Sequence, residues 1–357
     1  MPIYLPPFYC ALKRSARTGV DPGRHESAGY ACKIRHGSEE LMKYPIFLAI
    51  LGVVAPVAAA RADDSATLQT MLNGCYAGTR GCLIDLQGTT KNLTRTLKIN
   101  PELVTIRNAT FECRMTSGTC LYISQDGFPH HDWVKTNRLE DITLHGNRSI
   151  DGITMNYTGD NNYNVNAAMA LFSVSIQGFN HGISFGNNVW GVDMFNVMIG
   201  NGNIGIYTQP GTHNAGERST FSGGTIYNNS IAGIDEESCW EFDFEGTSFD
   251  FNGQQMILRG GTSFTGHIEN ADTGKPEIVL GALEGVPAGS LYMSAGSSIT
   301  VDGWNPKHPK QPCFVETSLP YNNLKIPALL YGFGGTQGAV CGPGKVVTWD
   351  GQPFSNK

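Results

Sequence analysis

Short apolar segments separated by turns rich in glycine and asparagine recur between Leu171 and Asn270. Three sets of apolar residues repeat here with steps that centre on about 23 residues. The first set is Ile176, Ile199, Ile226, Phe249 and Ile268; the second is Ile183, Ile206, Ile234 and Ile257; the third is Met194, Phe221, Phe244 and Phe264. Because the three sets advance together, each repeat should hold three short strands, and neighbouring repeats must stack to bury their apolar faces. The pattern predicts an all-β fold, a parallel β-helix.

The segments that flank the repeat predict its ends. Asp64–Leu72 has the pattern of a capped amphipathic helix, which would cover the open end of the stack. After Asn270 the repeat becomes less regular, and Gly303–Lys357 is rich in proline and glycine. We therefore expect one elongated domain at residues 63–302 and an irregular C-terminal cap at residues 303–357.

The N-terminal region has the features of an export signal. Met42-Lys43 precedes an apolar run, Ile46–Ala60, and an Ala-x-Ala-like site follows at Ala60–Ala62. This run is too short to span a bilayer comfortably, so residues 42–62 are predicted to be a cleaved signal peptide. Residues 1–41 show no periodicity and are expected to be a mis-called start or an unstructured extension. The mature protein should be secreted, extracellular or periplasmic, with no membrane segment after cleavage.

Charge and composition narrow the class of partner. The chain holds 25 Lys and Arg against 31 Asp and Glu; residues 1–62 contain 8 and 4 of these, which leaves 17 against 27 and a net charge of −10. So acidic a protein is not expected to bind nucleic acid, because the phosphate backbone attracts basic surfaces. Only 16% of the residues are charged and 44 are glycine, which is typical of a turn-dense β protein.

The cysteines of the expected mature chain also indicate export. Cys75 and Cys82 are seven residues apart, as are Cys113 and Cys120, while Cys313 and Cys341 bracket the tail. Three local disulfides with Cys239 left over are the simplest pairing in an oxidising compartment. No Cys-x2-Cys or His-x3-His spacing is present, so neither a metal nor another cofactor is expected.

Stacking of the repeat places polar residues in outward columns, by which we mean aligned positions on neighbouring strands. If Ile226, Phe249 and Ile268 point inward, the residues after them should form one outward column, because side chains alternate along a strand. That column contains Tyr227, Asp250 and Glu269, with His267 in the column beside it. Repulsion between two neighbouring carboxylates favours the state in which one keeps its proton. Asp250 and Glu269 are therefore the candidate acid and base.

Other acidic residues could contribute to a site on the same face. With Phe244 inward, Asp243 and Glu245 point outward on either side of it. Arg218 and Glu241 are expected to be cross-strand neighbours. The long insertion Gln209–Gly216 brings Glu217 to the entrance of a strand, where a loop could lean over the outer face.

Three segments on successive repeats resemble a known superfamily. They are Gly216-Glu217-Arg218-Ser219-Thr220-Phe221, Ser248-Phe249-Asp250-Phe251-Asn252 and Gly266-His267-Ile268-Glu269. They are similar to segments of phage tail-spike and tail-fibre polysaccharide depolymerases and of their secreted bacterial relatives, in the pectate-lyase-like superfamily. The resemblance implies a right-handed parallel β-helix that binds or cleaves polysaccharide. It singles out Glu217, Asp250 and Glu269 together with Asn252 and His267.

The residues leave three functions open. The first is an endo-acting glycoside hydrolase, with Asp250, Glu269 and Glu217 catalytic. Substrate contacts are then expected from the following residues: Tyr227, His267, Asn252, Arg218, Asp243 and Glu245. The second is a metal-independent polysaccharide lyase with Tyr227 or His267 as base, although an acidic face would repel a uronate polymer. The third is a glycan-binding adhesin without activity, and any of these could be a monomer or a side-by-side homotrimer.

Overall fold

A computed structural model describes most of the chain that follows the apolar N-terminal run. The described residues are 62–76, 82–126, 137–159, 166–271, 274–281, 289–294, 297–302, 313–318, 323–326, 340–343 and 345–348. They all belong to one compact unit, Ala59–Lys357. The predictions for residues 1–41 and for nearly all of the signal peptide lie outside the described residues.

The described chain contains one helix followed by strands. Their bounds are α1 Ser65–Tyr76, β1 Cys82–Leu93, β2 Leu97–Ile99, β3 Val104–Cys113, β4 Thr119–Ile123, β5 Arg138–His145, β6 Asp151–Met155, β7 Ala170–Gln177, β8 His181–Phe185, β9 Asp193–Phe195, β10 Met198–Gly200, β11 Ile204–Thr208, β12 Ser219–Ser222, β13 Thr225–Tyr227, β14 Ala232–Glu236, β15 Glu241–Asp250, β16 Met256–Leu258, β17 Gly261–Ala271, β18 Ile278–Leu280, β19 Ser290–Met293, β20 Ser298–Asp302, β21 Val315–Thr317, β22 Asn323–Ile326, β23 Val340–Cys341 and β24 Lys345–Thr348. The all-β prediction is confirmed.

The strands form two long sheets, and every strand pairing among the described residues is parallel. Sheet A has the order β1-β3-β5-β7-β10-β13-β15-β17-β19-β22-β24, with β9, β12 and β20 pairing alongside this path. Sheet B has the order β2-β4-β6-β8-β11-β14-β16-β18-β21-β23. The chain thus passes repeatedly from one sheet to the other and adds strands to each in sequence order.

The apolar repeat forms the core between these strands. The first predicted set is aligned from Ile176 to Ile268 on β7, β10, β13, β15 and β17, and all five of its side chains are buried. The third set is also aligned and buried. The second set is correct as far as Ile234, but Ile257 is wrong, because Met256 pairs with Ile234 and is fully buried. Side chains in a strand alternate, so this slip of one residue turns Ile257 outward.

The structure has two sheets where three strand sets were predicted, because the first and third sets belong to the same sheet. Both sets lie on the single strand β15, at Phe244 and Phe249. At the junction between the two sets, neighbouring strands carry residues of positive φ at aligned positions. These are Asn108, Asp141, Ser173, Asn196, Gly223 and Gly246, with φ between 50° and 67°. Asn, Asp and Gly tolerate this left-handed backbone best, so the sequence supports a bend here across sheet A.

The predicted N-terminal helix is present and slightly longer than expected. The Asp63 carboxylate accepts hydrogen bonds from the backbone N–H and the hydroxyl of Ser65, 3.0 and 2.6 Å long, at the start of α1. These hydrogen bonds lower the pKa of Asp63 below its usual range. Leu68 and Leu72 are buried on one side of the helix. No helix of the described residues is long and apolar enough to cross a membrane.

The C-terminal region departs from the expected irregular cap where it is described. The strands β21 and β23 extend sheet B, while β22 and β24 extend sheet A. The three predicted disulfides are confirmed: Cys75–Cys82, Cys113–Cys120 and Cys313–Cys341, with Cα atoms 5.6, 5.7 and 5.8 Å apart. Cys239 is a free, half-buried thiol, as expected.

Candidate functional site

The predicted outward column of polar residues is present on sheet A. Tyr227 pairs in register with Asp250, and Asp250 pairs with Glu269. In the neighbouring column Ser248 pairs with His267. All of these side chains are half-buried, because their strands lie in the middle of the sheet while their ends face outward. We call Asp250, His267 and Glu269 the acidic triad.

Side chains from three strands position the acidic triad. One polar atom of each member lies within 4.8 Å of those of the other two. The Ser248 hydroxyl donates a 2.6 Å hydrogen bond to Oδ1 of Asp250. His267 Nδ1 lies 2.7 Å from the Ser298 hydroxyl, and its Nε2 lies 3.6 Å from Oε2 of Glu269. The two serines therefore hold Asp250 and His267 in place, and no group of the described residues bonds the second carboxylate oxygen of Asp250.

Tyr227 lies beside the acidic triad but leans away from it. The neighbouring position on β10 is Gly200, and a Cβ atom there would come within 2.6 Å of the Tyr227 ring. The side-chain amide of Asn201 donates a 3.5 Å hydrogen bond to the Tyr227 hydroxyl. The absence of a side chain at Gly200 thus lets the Tyr227 ring extend over β10, on the side of β13 that faces away from Asp250.

The acidic triad has the composition of a metal site, although no metal site was predicted from the cysteine and histidine spacing. Two carboxylates and one imidazole are ligands that Zn²⁺ accepts, and three protein ligands leave a position for water or substrate. Ser298 bonds the ring nitrogen of His267 that would not bind the ion, as partners of metal-bound histidines do. The triad could therefore hold a divalent cation.

A second group of acidic residues, Asp243 and Glu245, lies nearer the start of β15 than Asp250 does. Asp243 and Glu245 point outward on β15, and Asp243 accepts a short hydrogen bond from the hydroxyl of Ser263. Glu245 is five residues before Asp250, which at about 3.3 Å per residue places it roughly 15 Å from the triad. Direct contact of both groups with one sugar unit is therefore excluded.

The structure does not bring Glu217 to the acidic triad. Glu217 precedes β12 and is exposed, and its main-chain oxygen accepts a 2.6 Å hydrogen bond from Gly191. Thr220 on β12 pairs with Asp243, at the far end of β15 from Asp250. Glu217 and Asp250 are therefore about 20 Å or more apart along the strand direction. This is too far for their two carboxyl groups to act on one glycosidic bond.

Arg218 lies where the alignment predicts, but Asn252 does not: Ser219 pairs with Phe242, so Arg218 lies beside Glu241 on the neighbouring strand. Arg218 is exposed, and within the described residues no ion pair joins it to Glu241. Asn252 is buried: its amide group donates to the main-chain oxygen of Ile226 and to Gln255, and its oxygen accepts two hydrogen bonds from Asn229. With its hydrogen bonds made inside the turn, Asn252 does not reach a substrate.

Sequence reasoning missed a polar cluster on the outer face of sheet B. His181 Nδ1 lies 2.8 Å from Asp151 Oδ1, and the His181 ring stacks on Tyr207 with centroids 4.1 Å apart. On the next strands Arg259 pairs with Asp235 and Glu237 at 3.2 and 3.3 Å. The alternation that placed Asp250 outward would have found this cluster, had it been applied to the second strand set.

A buried carboxyl beneath this cluster was also missed. Glu236 is fully buried, and burial raises the pKa of Glu236 to about 8. It lies two residues after the inward Ile234, so the alternation predicts an inward acidic side chain.

Comparisons with known proteins add no family. The chain matches no protein-family model, and a search of curated proteins finds no match. The geometry of the described residues is therefore what bears on function.

Proposed function

We propose that the protein is a secreted polysaccharide-degrading enzyme, an endo-acting glycoside hydrolase on a right-handed parallel β-helix of the pectate-lyase-like type. Two parallel sheets that grow by one position at each passage of the chain support this fold. In it α1 would cap the N-terminal end, beside β1 and β2. Three disulfides support an oxidising compartment such as the cell exterior or the periplasm.

The observation that carries the proposal is the placement of Asp250 and Glu269. They occupy aligned positions on neighbouring strands, and their oxygen atoms come within 4.8 Å of each other at a half-buried, outward-facing position. Hydrolysis of a glycosidic bond uses such a pair. One carboxyl group donates a proton to the leaving oxygen while the other, ionised, attacks the anomeric carbon or activates water. A separation near 5 Å favours the first route, which retains the anomeric configuration.

The other members of the site would orient the sugar. His267 lies between the carboxylate of Glu269 and the hydroxyl of Ser298 and can bond a sugar hydroxyl at the cleavage point. The Tyr227 ring extends over Gly200 on β10, two strands from Asp250, and would offer an apolar surface to a neighbouring sugar unit. This mechanism requires no cofactor. Because the face of the protein around the site is acidic, it favours a neutral or amino-sugar polymer as substrate.

The test compares conservative variants of the pair with a matched control. Purified mature protein is incubated with a panel of polysaccharides, and new reducing ends are counted. Asp250→Asn and Glu269→Gln should each lower the rate about 100-fold or more, because each removes a positioned acid or base. Glu112→Gln is the control, since Glu112 also contacts a histidine, His145 at 2.9 Å, in the same column of sheet A.

Three results would overturn the proposal. Retention of more than about a tenth of the rate in either variant would show that the pair is not catalytic. New ultraviolet absorbance of an unsaturated uronate would identify a lyase. Binding without any shortening of the polymer across the whole panel would identify an adhesin.

A further inference from the structure

An aromatic patch is exposed on the outer face of sheet A, away from the acidic triad. Phe195 on β9 is 53% exposed and pairs in register with Phe172 on β7, the two ring centroids lying 6.0 Å apart. Burial of one such side chain is worth about 1.5–3 kcal/mol, so adjoining exposed apolar residues commonly mark a binding surface. We call Phe172 and Phe195 the aromatic patch.

The aromatic patch already accommodates a cation at one end. The guanidinium carbon of Arg138 lies 5.4 Å from the centroid of the Phe172 ring. The negative face of an aromatic ring attracts a positive charge at this distance. The Phe195 ring is the more exposed of the two.

The charges around the patch favour a positively charged ligand. Arg138, which stacks on Phe172, is paired with Glu140 at 2.9 Å. In the continuous described stretch 166–271, the strands of sheet A carry six outward carboxylates and no arginine or lysine, and Glu217 and Arg218 lie side by side before β12. The carboxylates are Asp193, Glu241, Asp243, Glu245, Asp250 and Glu269. Asp193 lies two residues before Phe195, and no hydrogen bond or ion pair of its side chain occurs within the described residues. A second copy of the chain would bring like charges together, and an acidic polymer would be repelled.

The spacing of the patch and the triad suits an extended polymer. Neighbouring strands are about 4.8 Å apart, close to the length of one pyranose unit in an extended chain. Phe195 lies two strands from Glu245 in register, and Glu245 lies five residues from Asp250. Measured along the surface of sheet A, over the bend at Gly246, two strand spacings and five residues combine to a path of roughly 18 Å, which three to four sugar units would span.

We propose that the aromatic patch is a subsite for a cationic amino-sugar polymer, a hexosamine chain with free amino groups. A pyranose ring would lay its apolar C–H face on Phe195 while its ammonium group faces the Asp193 carboxylate. This inference rests on the proposed function, since it places the polymer that the triad would cleave. It adds the chemical class of the substrate and a binding position remote from the reacting bond.

Binding is measured by calorimetry on the full mature chain that carries both Asp250→Asn and Glu269→Gln, so that no probe is cleaved. The probes are hexamers of glucosamine, of N-acetylglucosamine and of galacturonate. The glucosamine hexamer should bind about tenfold or more tighter than the N-acetylated one at low salt, and the galacturonate hexamer should not bind. Added Phe195→Ala should weaken glucosamine binding about tenfold, and Asp193→Asn should weaken it several-fold and reduce its salt dependence.

The matched control is Ile231→Ala, which removes a side chain of similar exposure, 49%, from the turn before β14. It should leave binding unchanged, and circular dichroism should show the same fold for every variant. Equal effects of Phe195→Ala and Ile231→Ala would overturn the subsite, and equal affinity for both hexosamine probes would overturn the cationic class. Self-association that Phe195→Ala abolishes would assign the patch to a second copy instead.

The outcomes separate this inference from the hydrolase itself. If glucosamine binding depends on Phe195 but the wild-type protein cleaves no polymer, the subsite stands and the hydrolase proposal fails. If the wild-type protein cleaves a neutral polymer and Phe195→Ala has no effect on rate or binding, the hydrolase stands and the subsite fails.

Discussion

The buried carboxyl of Glu236 should make the stability of the protein depend on pH. Glu236 ends β14, and its Oε2 accepts hydrogen bonds from the backbone N–H groups of Arg259 and Gly260, the second 2.7 Å long. No described group bonds its other oxygen, Oε1. Burial raises the pKa of Glu236 from its usual 4.5 to about 8, against the opposing effect of these hydrogen bonds and of the charge of Arg259.

The direction and size of the effect follow from the two pKa values. The unfolded chain ionises this carboxyl near pH 4.5, whereas the folded protein keeps the proton until about pH 8. The free energy of unfolding is therefore unaffected below pH 4.5, falls as pH rises from 4.5 to about 8, and is level above that. Each pH unit in that window removes roughly 1.4 kcal/mol, so the total is on the order of 5 kcal/mol.

The variant Glu236→Gln isolates this contribution. The glutamine oxygen can still accept the two N–H groups, but the side chain cannot ionise. The variant and the wild-type protein should have similar free energies of unfolding at pH 5. By pH 8 the variant should be the more stable by up to about 5 kcal/mol. Urea unfolding followed by tryptophan fluorescence at several pH values measures the difference.

Glu237→Gln is the matched control. Glu237 is the next residue, is partly exposed, and contacts Arg259 at 3.3 Å. Its replacement should shift the free energy of unfolding by a small amount that does not change with pH. If Glu236→Gln gives the same pH-independent shift as Glu237→Gln, the reasoning from burial is refuted.

Four further outcomes are expected. Ile226→Val should cost about 0.5–1.5 kcal/mol of unfolding free energy, whereas Ile226→Asp should abolish folding because it buries an unpaired charge; a native circular dichroism spectrum for the second variant would contradict the inward stack. Asn252→Ala should lower the free energy of unfolding by about 1–3 kcal/mol, because the buried amide of Asn229 loses its partner; an unchanged urea midpoint would contradict a stabilising role for the Asn252 hydrogen bonds. Zn²⁺ should bind the acidic triad in a calorimetric titration and inhibit cleavage, with chelator restoring the rate; absence of both heat and inhibition would exclude a metal site. N-terminal sequencing of the secreted protein should begin near Asp63, and non-reducing peptide mapping should pair Cys75–Cys82 and Cys113–Cys120; a secreted form that keeps its first 41 residues would contradict the predicted processing.

The core and the outward columns of sheet A were predictable from the chain alone. Side chains alternate strictly along a strand, and the repeat recurs about every 23 residues. Once one residue of a strand is known to point inward, the direction of its neighbours on that strand and on the adjacent strands follows. Assigning Ile226, Phe249 and Ile268 inward was enough to place Asp250 beside Glu269. Two of the cysteine pairs, Cys75–Cys82 and Cys113–Cys120, were equally local, because a loop of seven residues keeps its ends close.

Register at the turns was not predictable in the same way. Met256 and Ile257 are both apolar, so either could continue the second strand set. The hydrogen bond from Asn252 to Gln255 and the backbone bond between Gln255 and Glu277 hold the turn in a shape that presents Met256 inward. A turn can absorb or release one residue without changing the apolar pattern on either side.

What the sequence by itself determined is therefore the set of residues that share a face, because strand alternation and a steady repeat act within a few residues. What only the tertiary structure decided is how far apart those residues are and which of them reach the outside. Glu217 matched a motif beside Asp250 but lies at the other end of the strands, and Asn252 matched one but is buried in a turn. Distance across a sheet and burial within a turn both depend on neighbours some 23 residues or more away in the chain. A pattern of a few consecutive residues contains no information about those neighbours.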